Sequence, residues 1–317
     1  MNYTRLINRA FQITWRYKVL WIFGILLALT SGGGGGGGGG GSGGNGSIPT
    51  IPSRLPVLGA AEWQIISVLI LLCCCFLLVA IVIGTIVHYV ARAALYRSVD
   101  QIEETGVAPK WREGFRLGWS NRSFRMWLLY LIVGIPFVIA ALLLLLLGAT
   151  PLLLLAVNSA AAKALGAIAA IGLELLIVLL IIVAGVVLGV LGQFWSREIA
   201  LADRSVGQAL AAGYASVRRR LKDSALTWLV LFGLGLAYGL VSFALVFMLV
   251  GIGLAVGFGI GLPLYAVTKS VGWAVALGLL PFFAILIVPL IFVQGLWLTF
   301  ESSAWTLAYR EIAGNKG

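Results

Sequence analysis

Charged side chains and histidine are scarce in this chain of 317 residues. Charged residues make up 10% of the sequence, whereas soluble domains carry about 25%, and there is one histidine, His88. Hydrolytic catalysis usually needs a nucleophile with a base, paired carboxylates or a bound metal ion. With so few groups of these kinds, we expect no enzymatic activity.

Cysteine is also rare, and its placement excludes two further classes of protein. The three cysteines, Cys73, Cys74 and Cys75, are consecutive and lie inside an apolar run. Neighbouring side chains on a helix point in different directions, so these thiols cannot easily pair or hold one metal ion together. We therefore expect no disulfide framework, no metal site and no cofactor, and we interpret the thiols as apolar packing groups.

Apolar sequence, in contrast, is abundant. Hydrophobic residues make up 61% of the chain, its mean hydropathy is +1.06, and apolar runs longer than about 18 residues recur. This pattern predicts an all-α polytopic membrane helical bundle of about six transmembrane helices in three hairpins, with amphipathic interfacial helices on the cytoplasmic side. The predicted spans are 17–30, 63–90, 127–148, 164–194, 225–250 and 272–298.

Basic residues indicate the orientation of these spans. The net charge is +11, and all but Arg54, Lys163 and Lys269 of the 22 lysines and arginines fall on one predicted side. Because loops rich in lysine and arginine stay cytoplasmic, both termini are predicted to be cytoplasmic. No nucleic-acid recognition motif accompanies the positive charge, so we expect no nucleic-acid partner.

The chain is predicted to form a single integral membrane domain, residues 1–317, with three notable connections. Residues 31–62 form a glycine-rich linker on the trans side, which we expect to be a flexible coil. Residues 98–125 and 196–224 are the two long cytoplasmic connections. The N-terminal apolar stretch follows a long, two-faced charged segment, so we expect a retained first helix rather than a cleaved signal.

One pattern occurs three times: an amphipathic segment, a basic cluster, an aromatic residue and then a span. Aromatic and basic residues precede the first, third and fifth spans at Phe11–Lys18, Phe115–Arg125 and Tyr214–Lys222. A stretch with Trp at its start and Gly seven residues later also recurs, at Trp127–Gly134 and Trp228–Gly235. We infer three hairpins, each introduced by a surface helix, although any span entering from the cytoplasm tends to begin with Trp and Arg.

Three short segments carry a resemblance to a known family. Residues Thr14–Gly24, Phe115–Trp119 and Trp305–Arg310 resemble bacterial six-helix integral membrane proteins related to the membrane domain of glycerophosphoryl diester phosphodiesterases. The resemblance implies a multi-pass protein of the bacterial plasma (inner) membrane, of a mostly uncharacterised kind. It implies no phosphodiesterase activity, because that chemistry belongs to a separate soluble domain with paired histidines.

The leading interpretation is a non-enzymatic integral membrane module: an accessory, scaffold or lipid-interacting protein whose partners are membrane lipids and, as an alternative, another membrane protein. Basic residues near the surface attract anionic headgroups. The candidate anionic-lipid contacts are Arg218, Arg219, Arg220, Lys222, Arg122 and Arg125.

The alternative is a small-solute or ion transporter, which needs polar groups at membrane depth. Glu174 is the best candidate, ahead of Asn158, Gln193 and Glu301, because it is the carboxylate that lies clearly inside an apolar run. We expect it to face an outward cavity or Lys163. The stretch 251–263 is left open as either helix or re-entrant loop, and the oligomeric state is not indicated.

Overall fold

The protein is all-helical in the computed structural model, which describes residues 2–31, 60–156 and 159–314. No strand occurs within those ranges, and the predicted all-α bundle is confirmed. In chain order the helices are α1 (Tyr3–Arg16), α2 (Val19–Thr30), α3 (Ala60–Thr105), α4 (Trp111–Gly118), α5 (Asn121–Gly148), a 3-10 helix (Thr150–Ala156), α6 (Ala160–Ala200), α7 (Val206–Arg219), α8 (Leu221–Thr268) and α9 (Val271–Gly314).

Among the described residues, five helices are long and apolar enough to cross a membrane: α3, α5, α6, α8 and α9. The pair α1 and α2, bent by 96° at a short break, would make a sixth. A bundle of this composition is compatible with a multi-pass membrane protein. Because α2 has only 12 residues, the first span is short, as predicted.

Aromatic contacts hold the bend between α1 and α2. The indole Nε1–H of Trp21 donates to the carbonyl oxygen of Thr14 at 2.7 Å across the break. The Trp21 ring lies 5.5 Å from Trp15 and 5.8 Å from Phe292 of α9, centroid to centroid. These contacts connect α1 to the bundle through a ring already packed on α9.

Glycines let the helices approach closely at two crossings. A Cβ on Gly24 would lie 2.3 Å from the carbonyl oxygen of Gly295, so α2 and α9 touch backbone to backbone. Likewise, a Cβ on Gly118 would lie 2.3 Å from the carbonyl oxygen of Val90, where α4 crosses α3. Only a residue without a side chain fits such contacts.

The buried core lies at one end of the bundle. We call it the basic end: the C-terminal parts of α3, α6 and α9 together with α1, α4 and α7. Its main apolar cluster contains Tyr96, Phe194, Ile199 and Trp305. At the far end, by contrast, the side chains of α3 from Val68 to Ile83 are exposed. The helices are therefore packed together at the basic end and leave broad apolar surfaces toward the far end.

The structure also settles several predicted boundaries. Residues 251–263 belong to α8, which continues through Pro263 to Thr268, so this stretch is helix. The connections 98–125 and 196–224 begin with helix, because α3 continues to Thr105 and α6 to Ala200. Residues 32–59, which make up most of the predicted linker, lie outside the described part of the chain.

Candidate functional site

Four basic residues form an exposed group where α7 passes into α8. We call Arg218, Arg219, Arg220 and Lys222 the basic quartet. Within the part of the chain that the structure describes, none of the four makes an ion pair. Arg219 and Arg220 line a surface cavity of about 840 Å³ at the basic end. Arg204 and Arg310 also line it, but they are paired there with acidic residues, Glu198 for Arg204 and Asp100 and Glu104 for Arg310. The quartet is thus positioned to meet an anionic partner.

Arg122 and Arg125, the other two predicted lipid contacts, are held by protein groups. Arg122 donates from Nη1 to the carbonyl oxygen of Ala200 at 2.8 Å, and its Nη2 lies 3.1 Å from the Asp203 carboxylate. Arg125 lies 3.3 Å from the other carboxylate oxygen. These two arginines connect α5 to the turn after α6, and their contact with lipid stays a prediction.

Each surface helix also presents aromatic side chains outward. On α1, Leu6, Ala10 and Ile13 are buried against the bundle, whereas Phe11 and Trp15 are each 54% exposed. Exposed aromatic residues on the other two are Trp111, Phe115 and Tyr214, with Trp119 just after α4. Aromatic rings beside basic residues are typical of the membrane–water interface.

A second group of polar residues lies inside the basic end, and the sequence analysis did not assemble it. We call Arg92, Tyr96, Tyr130, Arg197 and Glu301 the arginine cluster. These residues come from α3, α5, α6 and α9. The cluster makes no ion pair within the described residues, although Glu301 interacts electrostatically with both arginines.

Arg197 is fully buried, and protein acceptors satisfy each of its guanidinium nitrogens. Nε donates to Thr306 Oγ1 at 3.2 Å, and Nη2 donates to the carbonyl oxygen of Ser302 at 3.1 Å. Nη1 donates to the carbonyl oxygen and Oε1 of Gln193, both at 2.8 Å. The guanidinium carbon lies 4.2 Å from the centre of the Tyr96 ring. Arg197 therefore joins α3, α6 and α9 without a carboxylate partner.

Arg92 is bound less completely. Its Nε donates to the Tyr96 hydroxyl at 2.9 Å, and its guanidinium carbon lies 5.0 Å from the centre of the Tyr130 ring. Among the described residues, Nη1 and Nη2 have no hydrogen-bond acceptor, and neither atom is closed off from solvent. The two arginines of the cluster thus differ: one is saturated by protein, and the other has free donors.

The spacing of the cluster was visible in the sequence. Arg92 and Tyr96, Gln193 and Arg197, and Ser302 and Thr306 are each four residues apart. Residues at that spacing share a helix face. What the sequence does not show is that these three helix faces meet.

Glu174 lies apart from both groups, in the far half of α6. It is partly buried, and a Cβ on Gly148 of α5 would lie 3.0 Å from its carboxyl carbon. Within the described residues it makes no ion pair with Lys163 or any other base. Asn158 lies outside the described residues. The described residues thus give Glu174 no ion-pair partner, and its role in transport stays a prediction.

In the described ranges, no group of three or more His, Cys, Asp or Glu side chains could hold a metal ion. Cys73, Cys74 and Cys75 are free and exposed in the far half of α3. His88 is used between helices, because its Nδ1 lies 3.2 Å from Thr30 Oγ1 of α2. The absence of a cofactor stays a prediction.

The fold and these two sites define the class: an all-α bundle of five or six helices long enough to span a membrane, with basic surface helices at one end. The chain belongs to a family of unknown function, DUF7544, whose family model matches residues 8–304. No curated protein and no solved structure matches the chain. The family description names no phosphodiesterase membrane domain, so that resemblance stays a prediction.

Proposed function

We propose that this protein is a non-enzymatic integral module of the bacterial plasma membrane, with both termini cytoplasmic, that interacts with anionic lipids through its basic end. The supporting observation is the basic quartet: four cationic side chains that make no ion pair with any residue in the described ranges. Two of these side chains, Arg219 and Arg220, line an open cavity. Each basic residue near an anionic membrane surface adds about 1 kcal/mol of attraction.

The aromatic residues of α1, α4 and α7 support the same proposal. Their rings point away from the bundle at the end where the quartet lies, so rings and charges would reach the headgroup level together. A scaffold that binds another membrane protein would use the same surface, and the experiment below separates the two roles.

The test compares the basic quartet with Arg122 and Arg125, which form ion pairs with Asp203. The full chain is reconstituted with phosphatidylcholine and a minor fraction of spin-labelled phosphatidylglycerol, and the relative association constant of the labelled lipid is measured. Changing Arg218, Arg219, Arg220 and Lys222 to Gln should lower the lipid selectivity several-fold, and high salt should lower it for the unaltered protein too.

The matched control is the double variant Arg122→Gln, Arg125→Gln. Because these guanidinium groups already bind Asp203 and a backbone carbonyl, their loss should leave the lipid selectivity nearly unchanged. Equal selectivity of the quartet variant and the unaltered protein would contradict the lipid proposal. If one defined membrane protein co-purified with the unaltered protein but not with the quartet variant, that result would indicate the scaffold role instead.

A further inference from the structure

Arg92 is a partly buried arginine with unused donors. A guanidinium has five N–H donors in a planar fork, and arginines inside proteins normally meet a carboxylate, a phosphate or several carbonyls. Arg197, in the same cluster, follows this rule with four acceptor contacts. Arg92 has one such contact, from Nε to Tyr96. Its outer edge, Nη1 and Nη2, is the edge that binds an oxyanion through two parallel hydrogen bonds.

The surroundings of Arg92 supply no anion to that edge. The ring of Tyr130 covers one face of the guanidinium, and the Tyr89 ring lies 5.8 Å from the ring of Tyr130. Glu301 is near enough to act electrostatically but forms no ion pair with Arg92 among the described residues. Among these residues Arg197 forms no ion pair either, so the cluster sets two guanidinium groups beside a single carboxyl group.

The helices leave open space beside the cluster, toward the far end. Gly134 lies one turn beyond Tyr130 on the same face of α5, and Gly189 lies one turn from Gln193 on the same face of α6. A Cβ added at either glycine would meet nothing within 4 Å. Gly84, two turns from Arg92 on α3, also faces open space. Beyond Gly84, the exposed side chains of α3 are apolar.

We propose that Arg92 binds the phosphate group of a membrane phospholipid, whose acyl chains lie along the apolar surfaces that open toward the far end. An arginine with free donors near exposed apolar helix surfaces matches the two parts of such a ligand. This site is separate from the basic quartet, and it binds one lipid inside the bundle rather than a layer of lipids at the surface.

The test uses the full chain, purified in detergent and depleted of lipid. Native mass spectrometry follows its titration with phosphatidylglycerol and, in a parallel arm, with inorganic phosphate as competitor. Arg92→Gln should weaken binding of the first lipid about tenfold or more, because two charge-assisted hydrogen bonds are lost. Arg16→Gln is the control, since Arg16 is exposed on α1 and should leave the first binding step unchanged.

Glu301→Gln tests the same site in the opposite direction and does not alter Arg92. Replacing this carboxyl group by an amide removes the acidic group beside Arg92, so binding of the lipid phosphate should tighten severalfold, an effect that a merely structural role for the cluster would not produce. Thermal unfolding of each variant shows whether it is folded. If Arg92→Gln does not fold, the result for Glu301→Gln decides.

Unchanged lipid binding in a folded Arg92→Gln variant would overturn the proposal, as would unchanged or weaker binding in Glu301→Gln. If an equimolar amount of inorganic phosphate displaced the lipid, the site would bind phosphate, but free phosphate rather than a phospholipid would be its ligand. That result would overturn the proposal of a lipid ligand. The quartet variant should retain this first binding step, so failure of the surface proposal and failure of this one give different results.

Discussion

At the scale of single residues, the two arginines of the cluster show how a similar sequence context leads to different roles. Both follow apolar runs, and each has a polar residue four positions away on the same helix face. Arg197 finds acceptors on α6 and α9, whereas Arg92 finds a hydroxyl and an aromatic face. The difference lies in what the neighbouring helices bring to each side chain.

Arg197→Gln is expected to destabilise the protein by about 3 kcal/mol, because buried acceptors on α6 and α9 lose a charged donor that reaches them all. The measurement is the free energy of unfolding in detergent by titration with a denaturing detergent. Arg219→Gln, on the exposed face of α7, should change the same quantity by less than about 0.5 kcal/mol. Equal effects of the two substitutions would refute the structural role given to Arg197.

At the scale of helices, close contact at glycine explains how α2 takes part in the bundle despite its 12 residues. Its apolar side chains Leu20, Phe23 and Leu27 are buried, and Gly24 between them lets its backbone touch α9. Without a strong hydrophobic drive between helices in lipid, such van der Waals contact is a main source of association. The short helix therefore depends on close packing at Gly24.

Gly24→Ala should destabilise the protein by about 1–3 kcal/mol, since the added Cβ would lie 2.1 Å from Thr299 Oγ1 and the helices must separate. The matched control is Gly84→Ala on α3, where a Cβ meets nothing within 4 Å. That change should be neutral or stabilising by up to about 1 kcal/mol, because alanine favours helix. The same assay of unfolding in detergent applies, and effects of the same sign would show that the α2–α9 contact is not tight.

The connection between α6 and α7 is held in place by side chains from α5. Asp203 has a left-handed backbone, φ 53°, which aspartate tolerates better than most residues. Its carboxylate receives Arg122 and Arg125 from the start of α5. The local sequence places these arginines beside a span, but it does not show that Asp203 lies next to them, and their contact with lipid stays a prediction.

At the scale of the whole molecule, the helices pack closely at the basic end and leave open surfaces at the far end. This difference follows from where the small and polar residues lie. In the C-terminal half of α9, Thr299, Ser303 and Thr306 donate hydrogen bonds to backbone carbonyl oxygens. Buried aromatic rings, including Trp305 and Tyr309, belong to the same part of the helix. Toward the far end, the helices carry mainly Leu, Ile and Val on all sides. Such surfaces suit contact with acyl chains as well as with other helices.

The proposed topology predicts that the two ends of α6 lie on opposite sides of the membrane. In a background with Cys73, Cys74 and Cys75 changed to Ala, Lys163→Cys and Arg218→Cys are each expressed and labelled with a membrane-impermeant maleimide. In sealed cells, Lys163→Cys should react from outside, and Arg218→Cys should react only after the membrane is opened. Labelling of both from the same side would contradict the orientation.

Much of this architecture could be read from the sequence, because its physical signals are local. Runs such as 164–194 are too apolar for water, and helix is the structure that satisfies their backbone hydrogen bonds within one segment. The surface helices were also predicted, since the spacing of Trp111, Phe115 and Trp119 shows one apolar face. The apolar runs alone do not mark the helix ends: α3 and α6 continue beyond them to Thr105 and Ala200, where packing rather than composition decides.

The sequence by itself determined that the chain is helical, that long apolar helices alternate with basic connections, and that short amphipathic helices precede three of them. Only the tertiary structure decided which charges are free and which are engaged. Arg122 and Arg218 are both basic residues beside a span, yet one meets Asp203 and the other has no ion-pair partner among the described residues. The physical reason is distance: an ion pair or a shared hydrogen bond forms between residues 78 or 109 positions apart, and no local pattern specifies which helix faces will meet.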